Sequence, residues 1–124
     1  MGEEQRWVVR ETEEYREWFK TLDPAVREDV RAKVQVLGAI GPTLGRPSVD
    51  TVKGSRFSNM KELRVQSNKR PFRIFFAFDP KRRAVLLIGG NKSGAGDKDF
   101  YAVMIPLADR LFAEYLEDIK DEED

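Results

Sequence analysis

Residues 60–76 read MKELRVQSNKRPFRIFF and predict the centre of a β-sheet. Two runs with strand-like hydrophobic spacing, 60–65 and 72–79, flank turn-forming residues at 68–71 and predict two neighbouring antiparallel strands. A third run at 84–89 follows another tight turn at 79–83, so we predict an antiparallel meander. The stretch 60–76 also holds five basic side chains and only one acid. Positive charge is therefore concentrated on the predicted sheet of a chain whose formal net charge is zero.

Two helices are predicted upstream of the meander. Thr12 has the character of an N-cap, and an apolar stripe over residues 15–22 has helical spacing. Asp23-Pro24 then begins a second amphipathic helix, as N-cap and first helical residue, which is expected to end near Gly38 or Gly41. The two helices should form a hairpin with a very short turn.

The remaining segments are assigned by composition. Residues 7–10 (WVVR) are β-prone and could open the sheet, whereas residues 41–59 are rich in turn formers and are predicted to be a long connection. A helical stripe over 107–119 predicts a C-terminal helix that either starts at Pro106 or kinks there, because proline lacks a backbone amide. Residues 120–124 are expected to be a frayed acidic tail. With 124 residues, we predict a single α+β domain over 1–124.

The composition excludes several kinds of site. The chain has no cysteine and no histidine, which removes disulfides, thiolate or imidazole metal sites and His-based nucleophile pairs. The glycine-rich run 89–97 lacks the spacing of a phosphate loop or a dinucleotide-binding loop. No stretch approaches the roughly 20 apolar residues that cross a bilayer, and the first residues lack the apolar core of a secretory signal. We therefore expect a cytoplasmic protein with no membrane association, no metal and no cofactor.

Charge is strongly segregated along the chain. Residues 1–50 carry 8 basic and 10 acidic side chains (net −2), residues 51–98 carry 12 and 3 (net +9), and residues 99–124 carry 2 and 9 (net −7). Such a basic block indicates a polyanionic partner. The alternative is that acidic helices pack around a basic sheet and neutralise it internally.

Strand alternation predicts where the charges point. If the Phe and Ile side chains of the second strand face the core, Arg73 emerges on the opposite, open face. Glu62 and Arg64 should share that face, and the alternation that begins at Leu86 in the third strand leads to Lys92. Three cations and one acid would then form an electropositive platform of the kind that binds phosphates. The alternative is that Glu62 only makes cross-strand ion pairs, but one acid cannot neutralise three cations, which favours the platform.

The order of four motifs resembles a known family. DTVKGSRFSNMKELR, FRIFFAFDPKR, LLIGGNKSG and IPLADRLFAEYL follow one another as in HigB-like, phage-derived toxins of the RelE/ParE toxin–antitoxin superfamily. The resemblance covers residues 7–119. It implies an α+β fold in which two N-terminal helices pack on a twisted, mainly antiparallel sheet of about four strands, with a C-terminal helix.

The resemblance also implies a function and partners. HigB-like toxins are ribosome-dependent endoribonucleases that cleave mRNA and inhibit translation without using histidine. A helix-turn-helix antitoxin of the HigA type holds them inactive, and the complex represses its own operon. The expected partners are therefore the antitoxin, the ribosome with its mRNA, and operator DNA only through the antitoxin complex.

Candidate site residues follow from the same resemblance. Arg73 matches the arginine that contacts the scissile phosphate, Arg64 matches a basic position on the neighbouring strand, and Lys92 matches the basic residue after the last strand. Tyr101 is the fourth predicted catalytic residue, although the family's C-terminal tyrosine aligns best with Met104.

Three further basic residues, Lys53, Arg56 and Lys61, are predicted to bind RNA. The resemblance places the first two where family members contact RNA or the ribosome. Strand alternation places Lys61 with Leu63 and Val65 on the core-facing side, from which a lysine at the start of a strand can extend outward.

The sequence leaves the general base and the reaction class open. Lys92 acting with Tyr101 is one candidate for proton transfer, and Glu62 is the other candidate base. A ParE-like toxin that poisons DNA gyrase and a nucleic-acid-binding module without catalysis are the alternatives to a ribonuclease.

Overall fold

The structure, a computed structural model, describes residues 6–94 and 96–123. Its helices and strands follow one another in an α+β arrangement. They are β1 (Val9–Glu11), α1 (Glu13–Lys20), α2 (Pro24–Ile40), a 3₁₀ turn (Gly41–Thr43), β2 (Val49–Thr51), β3 (Lys61–Ser67), β4 (Arg70–Phe78), β5 (Ala84–Asn91), α3 (Asp97–Lys120) and a second 3₁₀ turn (Asp121–Glu123).

The sheet has five strands in the order β1-β5-β4-β3-β2. The meander β3-β4-β5 is antiparallel as predicted, β2 adds an antiparallel edge to β3, and β1 pairs with β5 in parallel. The sheet has one strand more than the expected number of about four. The additional strand is β2, whose three residues lie within the segment 41–59 that was predicted to be a connection. So short a strand is defined by its pairing with β3 rather than by a pattern of its own.

The helical hairpin forms as its capping residues predict. The Oγ1 atom of Thr12 accepts a hydrogen bond from the backbone N–H of Tyr15, and Asp23-Pro24 opens α2. α2 ends at Ile40, and its C-cap, Gly41, has a φ of +78°, which favours glycine. The apolar stripes of α1 and α2 are buried against the Leu63–Ile74–Phe76 side of the sheet.

The other side of the sheet is covered as well, which corrects the prediction of an open face. Phe75 and Leu87 are fully buried there against Phe100 and Phe112 of α3. α3 begins at Asp97, so the alternative in which the helix starts at Pro106 is wrong. The first nine residues of α3, which precede Pro106, pack across the sheet. Arg64, which lies on this face, keeps a partly exposed side chain.

An irregularity in the β4–β5 pairing corrects the alternation predicted for β5. Phe75 pairs with Ile88 while the next residue, Phe76, pairs with Leu86, so Leu87 is an extra residue in β5. Leu87 and Ile88 consequently both contact the α3 side, whereas Leu86 contacts the α1–α2 side. Ile88 still leads by alternation to Lys92 on the α3 side, but Leu86 does not.

The two glycines of the LLIGGNKSG motif are explained by helix packing on both faces. A Cβ atom on Gly89 would lie 2.3 Å from the ring of Trp18 in α1. A Cβ atom on Gly90 would lie 3.0 Å from the ring of Phe100 in α3. Each glycine therefore lets one aromatic side chain lie directly on the sheet backbone.

The chain end also differs from the expected frayed tail. Residues 121–123 form a 3₁₀ turn, and the Glu122 carboxylate pairs with Arg10 at 3.1 Å and with Arg83 at 3.5 Å. Asp124 lies outside the described residues. Within the described ranges, no helix is both long enough and apolar enough to cross a membrane.

Candidate functional site

The strand register places two arginines directly opposite each other. Arg64 of β3 pairs with Arg73 of β4, and Arg73 pairs in turn with Gly90 of β5. Like charges directly opposite on neighbouring strands are destabilising. Sheet stability alone does not account for such a pair, so the two arginines indicate a functional site.

A buried carboxylate lies between the two arginines. Glu62 is only 4% exposed, and its Oε2 atom accepts a hydrogen bond from Arg64 Nε at 3.1 Å. The same oxygen lies 3.9 Å from Arg73 Nε. Its Oε1 atom accepts a hydrogen bond of 2.6 Å from the hydroxyl of Tyr101. Glu62 thus connects residues of β3, β4 and α3 in one cluster.

Arg73 is held more rigidly than a surface arginine. Its side chain is 13% exposed, and Nη1 donates a hydrogen bond to the carbonyl of Phe72 at 3.1 Å. Among the residues that the structure describes, the buried Nε atom has no hydrogen-bond partner. The guanidinium is therefore held in place at the cluster, and its planar, forked shape suits the recognition of an oxyanion.

Arg64 has a second acidic partner, which corrects the expected excess of positive charge. Its Nη2 atom donates to Asp50 Oδ2 at 3.0 Å, and Asp50 of β2 lies opposite Glu62 in the sheet. Asp50 also pairs with Arg46 at 3.2 Å. The hydrogen bond from Arg46 is the largest of the contributions that lower the pKa of Asp50, so the carboxyl group is charged at neutral pH. The cluster is an ion-pair network rather than a bare cationic platform.

Lys92 joins this network from the end of β5. Its ammonium lies 5.7 Å from the centre of the Tyr101 ring and 3.5 Å from Asp97 Oδ2 at the start of α3. Lys92 therefore has an acid and an aromatic face as its neighbours, rather than the other cations that the sequence suggested.

Tyr101 is protonated over the whole physiological range. Burial, and then the hydrogen bond to the Glu62 carboxylate, raise the pKa of Tyr101 to about 12. Met104, one turn further along α3, lies against Gly90 instead of reaching the carboxylate. Tyr101 is thus the tyrosine that α3 places in the cluster.

The structure predicts that no tyrosine of the folded chain ionises at its ordinary pKa near ~10. Burial raises the pKa of Tyr15, and burial together with the Asp79 carboxylate raises the pKa of Tyr115 to about 12. Since folding raises these values, the stability that the phenolic protons contribute is complete below about pH 10 and is lost as the pH rises through about 12. An alkaline titration followed by tyrosinate absorbance measures this directly.

Single substitutions assign the alkaline transitions. Tyr101→Phe and Tyr115→Phe should each remove one of the two transitions that have a pKa of about 12. Denaturant should return all three tyrosines to ionisation near ~10. A transition near ~10 in the folded protein that disappears with Tyr101→Phe would show that its hydroxyl is not held by Glu62.

Two of the three predicted RNA-binding residues lie in the connection between β2 and β3, and the third, Lys61, lies in β3. Lys53 is exposed in the connection after β2 and lines a cavity beside Tyr101. The exposed Arg56 lies 5.1 Å over the ring of Phe57, and its backbone N–H bonds Asp109. Lys61 alternates with Glu62 along β3 and so belongs to the α1–α2 side of the sheet, away from Arg64.

Sequence reasoning missed Arg46 and Asp50. Both lie in the turn-rich connection, where no periodic pattern marks them. The pairing of β2 with β3 alone brings Asp50 opposite Glu62. No group of three His, Cys, Asp or Glu side chains in residues 6–94 and 96–123 is arranged to hold a metal ion.

Residues 17–113 match the protein family described as "Phage derived protein Gp49-like (DUF891)". The chain belongs to this family. Two relatives of this Gp49-like chain come from Mycobacterium tuberculosis (strain ATCC 25618 / H37Rv). The protein named "Putative toxin HigB2" is 49% identical over 105 residues, which are 84% of this chain and 52% of that protein. The protein named "Putative toxin HigB3" is 46% identical over 99 residues, which are 80% of this chain and 84% of that protein.

The Gp49-like chain thus spans about half the length of the first relative and most of the second. The resemblance to HigB-like, phage-derived toxins that was predicted from the motifs is confirmed. The match includes β3, β4, β5 and about the first two thirds of α3. It therefore contains Glu62, Arg64, Arg73, Lys92 and Tyr101.

Proposed function

We propose that this chain is the toxin of a type II toxin–antitoxin system and acts as a ribosome-dependent endoribonuclease that cleaves mRNA. The observation that carries the proposal is the Arg64–Arg73 pair fixed around the buried Glu62 beside the Tyr101 hydroxyl. Membership of the Gp49-like family and two relatives named as toxins support it. An HTH antitoxin of the HigA type and the translating ribosome are the partners proposed with this function.

The arginines are suited to bind the scissile phosphate. A guanidinium carries five N–H donors, and Arg64 uses Nε for Glu62 and Nη2 for Asp50. Donors on Nη1 of Arg64 and on Arg73 stay available for the phosphate oxygens. Since both guanidiniums are already oriented, little reorganisation is needed when negative charge develops on a pentacoordinate phosphorane.

Proton transfer is assigned to the pair that shares the 2.6 Å hydrogen bond. Attack by the ribose 2′-hydroxyl on phosphorus forms a 2′,3′-cyclic phosphate, and Glu62 accepts the hydroxyl proton. The P–O5′ bond breaks as Tyr101 gives its proton to the leaving oxygen. The proton on Glu62 then passes to the Tyr101 phenolate and restores both groups. Lys92, over the Tyr101 ring, adds positive charge for the substrate backbone.

Primer extension on a defined message tests the proposal, with and without translating ribosomes. We expect wild-type cuts only during translation, and their loss in Arg64→Ala. Arg110→Ala is the matched control, because Arg110 is an exposed arginine of α3 whose ion-pair partner is Glu114. Its cutting pattern should equal that of wild type.

Two results would contradict the ribonuclease. An intact message from a chain that still arrests growth would discard it, and arrest of DNA supercoiling would then indicate a gyrase poison. RNA binding with steep salt dependence but no cleavage product would indicate a binding module without catalysis.

A further inference from the structure

A cavity of about 300 Å³ opens between β2 and the first turns of α3, next to the Glu62 cluster. Val52 and Ile105 line it with apolar surface, and Tyr101 and Glu62 form the wall that it shares with the cluster. A volume near the lower end of the ~300–1,000 Å³ range of ligand sites suits one small planar group with its sugar.

We infer that this cavity is the subsite for the nucleoside next to the scissile phosphate, and that it selects a base with an exocyclic amino group. The inference rests on the proposed function, because Arg64 and Arg73 fix the phosphate. Glu62 and Tyr101 contribute both to the cavity and to the cluster. A phosphate on the arginines therefore brings the neighbouring ribose to the mouth of the cavity.

Asp50 supplies the selectivity for an amino group. Its Oδ1 atom already accepts from the Thr51 N–H at 2.9 Å and from Arg46 at 3.2 Å. Its Oδ2 atom accepts only from Arg64 among the bonds that the structure describes, so it retains a free lone pair. Adenine, cytosine and guanine each carry an amino donor for that oxygen. Uracil carries carbonyl oxygens in place of the amino group, and these would face a charged carboxylate.

Two basic residues at the rim of the cavity, Arg46 and Lys53, add contacts to the nucleoside and its phosphate. The Arg46 side chain is 75% exposed, and the Asp50 carboxylate holds its guanidinium. A planar guanidinium is a stacking surface for a base, and the apolar side chain of Ile105 lines the same cavity. Lys53, exposed on the same rim, is placed to meet the phosphate on the far side of that nucleoside.

The test is the base composition at cut sites in a library of translated messages with randomised codons. For wild type we expect uracil to be depleted about tenfold at one position beside the cut. Asp50→Asn should remove that depletion, because an amide donates as well as accepts while its oxygen still serves Arg64. The base distribution is compared between variants, so any preference imposed by the ribosome cancels.

Filling the cavity gives a second, independent measurement. Ile105→Trp should lower cleavage about tenfold. Val103→Trp is the control for a large residue in α3, because Val103 is 66% exposed. Thermal melting of each variant confirms that it is folded.

The outcomes separate the two proposals. If the wild type cleaves without depletion of uracil, or if Ile105→Trp and Val103→Trp cleave equally, the subsite is refuted. The proposed ribonuclease activity is not affected by either result. An identical depletion in Asp50→Asn overturns the role of Asp50. Absence of cleavage by wild type overturns the proposed function itself and the subsite with it.

Discussion

Arg73→Gln is expected to lower the rate of message cleavage by about 10²–10³-fold, the usual cost of removing one preorganised donor to a developing oxyanion. Arg73 donates a hydrogen bond to the Phe72 carbonyl and lies 3.9 Å from Glu62, so its guanidinium is held in place at the cluster. A glutamine is shorter and uncharged, so it cannot neutralise the phosphorane. Single-turnover cleavage on programmed ribosomes measures the chemical step apart from binding.

Folding must be separated from chemistry in this experiment. Glu62 keeps its bonds to Arg64 and Tyr101 when Arg73 is replaced, so the variant should stay folded and should melt cooperatively. Arg73→Lys keeps the charge but loses the forked geometry, and should recover only part of the rate. Full activity in a folded Arg73→Gln protein would refute the role of this strand position.

Asp79→Ala is expected to reduce the free energy of unfolding by about 3–5 kcal/mol, because it removes one partner of a buried ion pair. The Asp79 side chain is 0% exposed and forms an ion pair with Arg83 at 2.7 Å. It also accepts hydrogen bonds from the backbone N–H groups of Lys81 and Arg83 and from the Tyr115 hydroxyl. One carboxylate therefore closes the β4–β5 turn and fastens α3 to it. For a domain stable by ~5–15 kcal/mol, the loss is a large fraction of the total.

The same carboxylate makes stability depend on acid. Burial opposes the charged form of Asp79, but hydrogen bonds from the Arg83 backbone, Tyr115 and the Arg83 guanidinium outweigh it and lower the pKa. Because folding lowers this pKa, the contribution is complete above the ordinary value near ~3.9 and disappears as the pH falls through the folded value.

Urea unfolding at neutral and acidic pH measures both effects. The difference in stability between wild type and Asp79→Ala should shrink at acidic pH. Asp118→Ala, an exposed acid of α3, should change stability by less than ~0.5 kcal/mol. Equal stability of wild type and Asp79→Ala at neutral pH would mean that this network does not hold α3 to the turn.

By itself, the sequence determined the elements whose signals are local. Thr12 and Asp23-Pro24 mark helix starts because capping involves only neighbouring residues. The runs around MKELR and FRIFF mark strands because their alternation matches the pleat. The order of motifs also determined the family, and it named Arg64, Arg73, Lys92 and Tyr101, which the fold brings together around Glu62.

Features that depend on residues distant in sequence could not be predicted from local patterns. The extra residue Leu87 in β5 and the position of α3 over the sheet turn a predicted open face into a second core. Pairing of β2 with β3 brings in Asp50, and the start of α3 brings in Asp97, so the cations acquire acidic partners that a count of nearby charges did not anticipate. The physical reason is that charge neutralisation acts through space. The composition of the chain sets how many acidic and basic side chains are present. Strand register and the position of the helices determine which of them form ion pairs.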